Sequence, residues 1–250
     1  MKIAITGKGG SGKTTIAAGL SLIFDQDNKE VIAVDCDPDT NLGLILGVSG
    51  AENILPISEM KDLIALRTGV ETLDKPTTFF KINPKVDDIP QKFAVKFNNI
   101  RLLVMGKIDK AAGGCMCPEN TFIKSLITHL VLSEDQVVIL DMVAGTEHLG
   151  RATAKSVDIF LIVVEPNEIS VFTALRIKKL AKQLGIKKIY FVGNKIQSKK
   201  DKDFLNQKIN NDIIGYISLN KTLYSNRGKF IFDKSLSKEF REIYQNLNEA

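Results

Sequence analysis

Residues Gly7 to Thr14 read Gly-Lys-Gly-Gly-Ser-Gly-Lys-Thr, and the spacing Gly7-x-x-x-x-Gly12-Lys13-Thr14 is that of a loop wrapped around a phosphate chain. The apolar run Ile3-Ala4-Ile5 precedes it and a helical stretch, Thr14 to Phe24, follows, which is the strand, loop and helix context the motif needs. Gly7, Gly9, Gly10, Ser11 and Gly12 let successive backbone N–H groups turn inward, and the helix start adds the positive end of its dipole. Lys13 is expected to reach the β- and γ-phosphates, Thr14 to ligate Mg²⁺ through its hydroxyl, and Thr15 to complete the nucleotide contacts. A glycine-rich turn without ligand is the alternative, and the flanking strand and helix argue against it.

Two further clusters carry chemistry. The run Asp35-Cys36-Asp37-Pro38-Asp39 crowds three carboxylates into one short loop, which is unfavourable without a cation; the alternative is that they cap the following turn. Asp141 ends the apolar run Val137 to Leu140, where a carboxylate holds Mg²⁺ through water. Farther along, Gly113-Gly114-Cys115-Met116-Cys117-Pro118 places two thiols too close for an easy disulfide, yet an extended segment can turn both sulfurs toward one ion. Two ligands per chain leave such a site half complete. Four thiolates from a two-fold pair of chains would suit Ni²⁺, Zn²⁺ or Cu(I). Buried structural cysteines and a redox pair are the competing readings. Cys36, the third cysteine, reads as a small buried residue.

Lys8 has no part in an ordinary cradle, because a side chain at that point projects away from the phosphates held by its own loop. It suits a site completed by a second subunit. Here the sequence resembles the deviant-Walker-A ATPases, which include the nitrogenase iron protein, MinD, ParA and the arsenite and tail-anchored-protein ATPases. The resemblance implies two chains sandwiching two ATP molecules, with Lys8 crossing to the partner's phosphates as an arginine finger does, at rate effects on the order of 10³ or more. It implies that Asp37 positions the attacking water, that Asp35 belongs to the metal-water shell, that Gly145 senses the γ-phosphate and that Asn194 reads the adenine edge. The usual proline and aspartate after the last strand are replaced by Ser218-Leu219-Asn220. His148 is read as a hydrogen-bonding residue of the switch, with metal ligation or pH sensing as alternatives.

Taken together, the Lys8-bearing loop, Asp37-Pro38, Leu103-Val104-Met105-Gly106 leading to Cys115-x-Cys117, and Ala144-Gly145-x-Glu147-His148-Leu149 with Arg151 resemble the CooC family of nickel-insertion ATPases. The resemblance runs from Met1 to about Gly193, and Val143 departs from an acidic residue common in the family. It implies an ATP-hydrolysing homodimer that holds Ni²⁺ or Zn²⁺ on Cys115 and Cys117 for a client nickel enzyme such as carbon monoxide dehydrogenase, with ATP, ADP and Mg²⁺ at the nucleotide site. Two other classes remain open: a positioning ATPase of the ParA or MinD kind, acting on DNA or membrane, and a cluster carrier like the nitrogenase iron protein.

These groups need a scaffold. Strand-like runs at Ile3 to Thr6, Val31 to Val34, Arg101 to Met105, Val137 to Leu140, Ile159 to Val164, Ile189 to Val192 and Ile213 to Ile217 are mostly apolar on both faces, the mark of parallel strands covered on both sides. Helical stretches Thr14 to Phe24, Glu119 to Leu132, Ile169 to Leu184 and Lys200 to Ile209 separate them. The expected fold is α/β, a doubly wound and mostly parallel sheet, with ligand at the carboxyl ends of its strands. Segment 55–99, with a helical patch from Glu59 to Leu66 and Pro76, Pro84 and Pro90, reads as an insertion packed over one sheet edge. The last helix, Ser235 to Leu247, presents a narrow stripe of Leu236, Phe240, Ile243 and Leu247 that fits docking onto the domain.

At 250 residues, with 44% hydrophobic and 25% charged residues, one cytoplasmic domain is expected, without signal peptide or membrane span. The net charge of +5 comes mainly from lysines between Lys178 and Lys202. They alternate with apolar residues at helical spacing beside Asp201 and Asp203 and lack interleaved aromatics, so neither nucleic acid nor membrane is expected as a partner.

Overall fold

The run Lys2–Gly7, buried along its whole length, forms the central strand β1 of the computed structural model, which describes residues 1–74, 79–106, 117–133, 136–143, 157–219 and 233–249. Around it stand β2 (Val31–Asp35), β4 (Ile100–Val104), β5 (Val137–Asp141), β6 (Ile159–Val164), β7 (Ile189–Ile196) and β8 (Ile213–Ser218), with the short β3 (Val95–Phe97) at one edge. The sheet order is β3-β4-β2-β5-β1-β6-β7-β8, parallel throughout except for the antiparallel pair β3 and β4. From β1 the chain moves out to β2 on one side, then returns past β1 to β6 on the other. The reversal places a crevice at the carboxyl end of β1, the switch point where doubly wound sheets bind ligands.

Strand alternation feeds two cores, one on each face of the sheet. Ile3, Ile5, Leu161 and Val163 pack with Ile16 and Leu20 of α1 (Lys13–Gln26) and with Phe240 and Ile243 of the C-terminal helix. Ala4, Phe160, Ile162 and Val164 belong to the opposite core with Phe122 and Leu126. On the first face lies also α2 (Leu42–Leu46); on the second lie α3 (Lys61–Thr68), α4 (Ile89–Lys92), α5 (Pro118–Ser133), α6 (Glu168–Gln183) and α7 (Lys199–Ile209). The C-terminal helix α8 (Lys234–Glu249) buries Leu236, Phe240, Ile243 and Leu247, the stripe visible in the sequence. Gly19 of α1 admits it closely, since a Cβ there would lie 2.2 Å from the Phe240 ring.

Segment 55–99 departs from the expectation of an insertion laid over an edge. Its last residues, Val95–Phe97, are the edge strand, turned into β4 by the two-residue link Asn98-Asn99 with Asn98 in the left-handed region at φ 54°. Ile57, Ile64, Val86 and Ile89 enter the core beneath α5. A second departure concerns β7, which continues through Gly193-Asn194-Lys195 to Ile196, so that these residues lie within the strand and not after it. The strand is irregular there, with register shifts against β8 between Phe191 and Val192 and between Gly193 and Ile196.

Candidate functional site

The phosphate loop leaves β1 at Gly7, whose φ of 155° brings it so close to β6 that a Cβ would fall 2.4 Å from the Val163 carbonyl oxygen. Only glycine fits. The loop then closes a turn, with the Ser11 N–H donating to the Lys8 carbonyl at 3.0 Å, and Gly10 and Gly12 take φ of 79° and 95°. Helix α1 starts at Lys13, so the positive end of its dipole faces the loop. Ser11 and Lys13 are buried, Thr14 and Thr15 half-buried, and Gly9 and Gly10 exposed at the loop tip. Lys8 is half-buried at the rim, its Nζ 3.4 Å from the Gly9 carbonyl.

Beside the loop, the ends of β2 and β5 bring two carboxylates into register, Asp35 opposite Asp141, both without solvent exposure. Asp35 is tied down: its Oδ1 accepts from the Asp37 N–H at 3.1 Å and its Oδ2 from the Leu42 N–H at 2.9 Å. Burial nevertheless pushes its pKa up to about 6, with Asp37 and Asp39 adding to the rise and the two N–H groups opposing it. Asp141 is pushed up to about 8, again first by burial and then by the charge of Asp35. The Thr14 hydroxyl and the Lys13 ammonium pull the other way, but neither closes a well-formed hydrogen bond, and among the described residues both Asp141 oxygens are buried without a partner. An orphaned buried carboxylate next to a threonine hydroxyl and a phosphate cradle fits a hard divalent cation such as Mg²⁺, which takes oxygen ligands and keeps several of its waters. Thr14, Asp35 and Asp141 are therefore well placed to hold Mg²⁺ directly or through water.

Asp37 stands half-buried at the crevice, and its Oδ1 accepts from the Asp39 N–H at 3.1 Å. Asp37 thus caps the turn that follows it and also lines the crevice. A crevice of about 920 Å³ is lined by Gly10, Gly12, Lys13 and Thr14 on the loop side and by Asp37, Asp39 and the α2 residues Leu44 and Ile45 across from it. Cys36 is buried, and desolvation together with the charges of Asp35, Asp141 and Asp37 drives its thiol well above the usual range, which suits an inert core thiol.

Asn194 is buried against the loop. Its Nδ2 donates to the Ser11 carbonyl at 2.8 Å and its Oδ1 accepts from the Lys195 N–H at 2.9 Å. A trans peptide points its carbonyl and the following N–H in opposite directions, so fixing the Ser11 carbonyl turns the Gly12 N–H the other way. Lys195 and Glu165 are site residues that sequence reasoning passed over. The Lys195 Nζ lies 2.6 Å from the Gly10 carbonyl and 2.6 Å from Glu165 Oε1. The lysine lay inside a run read as a solvated face, and no periodic signal links it to Gly10.

Of the two thiols, Cys117 is described. It sits half-buried just before α5, its Sγ accepting from the Asn120 N–H at 3.5 Å and its carbonyl from the Thr121 N–H. Cys115 falls in 107–116, and Gly145 and His148 in 144–156, outside the described residues. No helix among the described residues is long and apolar enough to cross a membrane.

The model of the CobQ/CobB/MinD/ParA nucleotide-binding domain matches residues 2–229. An uncharacterised ATP-binding protein of Methanocaldococcus jannaschii is 44% identical over 98% of this chain and 96% of its own length. The carbon monoxide dehydrogenase accessory protein CooC of Rhodospirillum rubrum is 41% identical over 89% of this chain and 85% of its own. Among solved structures, MinD in the MinC:MinD cell division complex of Aquifex aeolicus superposes with a TM-score of 0.71 at 22% identity, covering 99% of this chain and 95% of that one, a likeness of fold. With the phosphate loop, the paired carboxylates and the doubly wound sheet in place, the chain belongs to the CobQ/CobB/MinD/ParA nucleotide-binding family and, within it, to the family of CooC, and it is an ATPase.

Proposed function

We propose that this ATPase is a nucleotide-switched metallochaperone: two chains close around ATP and Mg²⁺, gather Cys115 and Cys117 from both subunits around one Ni²⁺, and release the metal to a client nickel enzyme when ATP is hydrolysed. The observation that carries the reading is the 41% identity to a carbon monoxide dehydrogenase accessory protein in a chain that also carries the Cys-x-Cys pair. The placement of Cys117 supports it, because its Sγ stands half-buried just before α5 and accepts from the Asn120 N–H. In this reading Asp37 orients the attacking water, Lys8 reaches the partner's phosphates, Gly145 follows the γ-phosphate and Asn194 flanks the adenine. Zn²⁺ satisfies the same thiolates, so nickel is distinguished by the client it serves.

Equilibrium nickel binding under anaerobic conditions, compared between the parent and the Cys115→Ala, Cys117→Ala double variant, tests the metal half of this reading. The parent should bind nickel and the variant should lose it; equal affinity in both would refute it.

A second reading rests on the outer face of α6, where Ile169, Phe172, Leu175 and Leu180 are exposed beside Arg176, Lys179 and Lys182. Such a face suits a positioning ATPase that docks on an anionic surface. ATP-dependent retention on anionic vesicles or DNA, undiminished by loss of both thiols, would favour it.

A further inference from the structure

Two consecutive peptide groups at the tip of the phosphate loop are held from outside the loop, and both by the irregular end of β7. Asn194 takes the Ser11 carbonyl, and Lys195 takes the Gly10 carbonyl. In a regular strand these neighbours would point to opposite faces of the sheet. They do not, because Lys195 adopts φ 60° where the register of β7 against β8 slips between Gly193 and Ile196. A left-handed conformation is uncommon for a lysine and persists only where its surroundings enforce it.

The Lys195 ammonium is met there by Glu165. It follows the last residue of β6, and its backbone is itself fixed: its N–H donates to the Ser170 Oγ and its carbonyl accepts from the Asn167 N–H, within the N-terminal cap of α6. Its carboxylate, 15% exposed, meets the Lys195 ammonium at 2.6 Å. The ammonium is thereby neutralised in place and bridges the α6 cap to the loop tip.

We propose that Lys195, clamped by Glu165, is a positioning residue for nucleotide binding, holding the Gly10–Ser11 peptide so that the loop stands ready for phosphate before the nucleotide arrives. The Gly10 carbonyl is directed outward to the lysine, and the Ser11 N–H of the same peptide is turned back to the Lys8 carbonyl. Without the clamp the exposed tip, built on two adjacent glycines, samples other conformations, and each binding event must order it again. The effect belongs to binding and not to the chemical step, because the lysine faces carbonyl oxygen and carboxylate.

The test is an equilibrium titration of the full chain with Mg²⁺ and a fluorescent ADP analogue, together with kcat and KM for ATP hydrolysis, in Lys195→Met, Lys195→Arg, Glu165→Gln and the Lys195→Met, Glu165→Gln double variant. Lys195→Met should raise Kd and KM roughly tenfold, the loss expected for one charge-assisted hydrogen bond, and leave kcat within about twofold at saturation. Lys195→Arg should recover part of the loss. Glu165→Gln should weaken binding less, and the double variant should be no worse than Lys195→Met, as befits a single linked unit. Unchanged Kd in Lys195→Met, a fall in kcat at constant KM, or tighter binding in Glu165→Gln would overturn the proposal. Should the Lys195→Met thermal midpoint show that it does not fold, the Glu165→Gln and Lys195→Arg titrations decide by the same criteria.

Discussion

The Asn194 amide occupies the place that a side chain on Gly12 would need: a Cβ there would fall 2.1 Å from Nδ2. Gly12 is also in the left-handed region at φ 95°, at the start of α1. Loop and strand are thus fitted to each other at the point where phosphate is expected.

Gly12→Ala should therefore lower ATP hydrolysis by at least about tenfold and destabilise the fold by about 1–3 kcal/mol, from backbone strain and the displaced amide. Adding Asn194→Ala removes the clash but leaves the Ser11 carbonyl unheld, so the double variant should not recover activity. Steady-state hydrolysis and urea unfolding check both parts.

The raised carboxylates give a pH dependence with a definite sign. Asp35 and Asp141 have folded-state pKa values of about 6 and about 8, above those of the unfolded chain. Their contribution to the stability of the nucleotide-free protein is fully present at acid pH below the unfolded values and is lost as pH rises through the folded ones. Mg²⁺ binding needs the carboxylates ionised, so the affinity for Mg·ADP should rise between about pH 6 and pH 8, with about one proton released per Mg²⁺ bound near pH 7. Calorimetry in buffers of different ionisation enthalpy measures that release, and Asp141→Asn should reduce it.

Lys8→Ala should leave ATP binding within a few-fold and reduce kcat by about 10³, because the side chain sits at the rim of its own loop, with Nζ 3.4 Å from the Gly9 carbonyl. Mixing Lys8→Ala with an Asp37→Ala chain tests delivery across subunits. If the lysine acts in trans, one of the two sites in each mixed dimer pairs an intact Asp37 with its partner's intact Lys8, and activity should partly return.

The seam between α1 and α8 offers a stability test remote from the site. Phe240→Ala should cost about 3–5 kcal/mol in chemical unfolding, as expected for a fully buried phenyl ring. Gly19→Ala should also destabilise, since its new methyl meets the ring, and the two changes should be less than additive, because removing the ring gives the methyl room.

Much of the scaffold was legible because its strands are β-branched runs buried on both faces, a pattern few other elements share; Ile159–Val164 emerges with the expected bounds. The edge strand Val95–Phe97 was not, since three residues, none of them buried, are too short a run to stand out, although Asn98-Asn99 was a usable turn signal. In the site, the glycines, Lys13, Thr14 and the three aspartates of the β2 loop declare themselves by spacing. The facing of Asp35 and Asp141 does not, because it depends on β2 and β5 being neighbours in a sheet whose order no local pattern encodes. Lys195 was hidden for a similar reason. Its role depends on a strand irregularity and on Glu165, 30 residues earlier in the sequence, and a lysine among lysines has nothing to mark it.

The most direct test of a nucleotide-switched metallochaperone is the molar mass and nickel content of the anaerobic protein, measured together by light scattering and metal analysis, with and without a non-hydrolysable ATP analogue. A mass of two chains carrying one nickel, formed with the analogue and losing its metal in the Cys115→Ala, Cys117→Ala variant, is the predicted result. Dimers that form with nucleotide alone and never hold thiol-dependent nickel would contradict it.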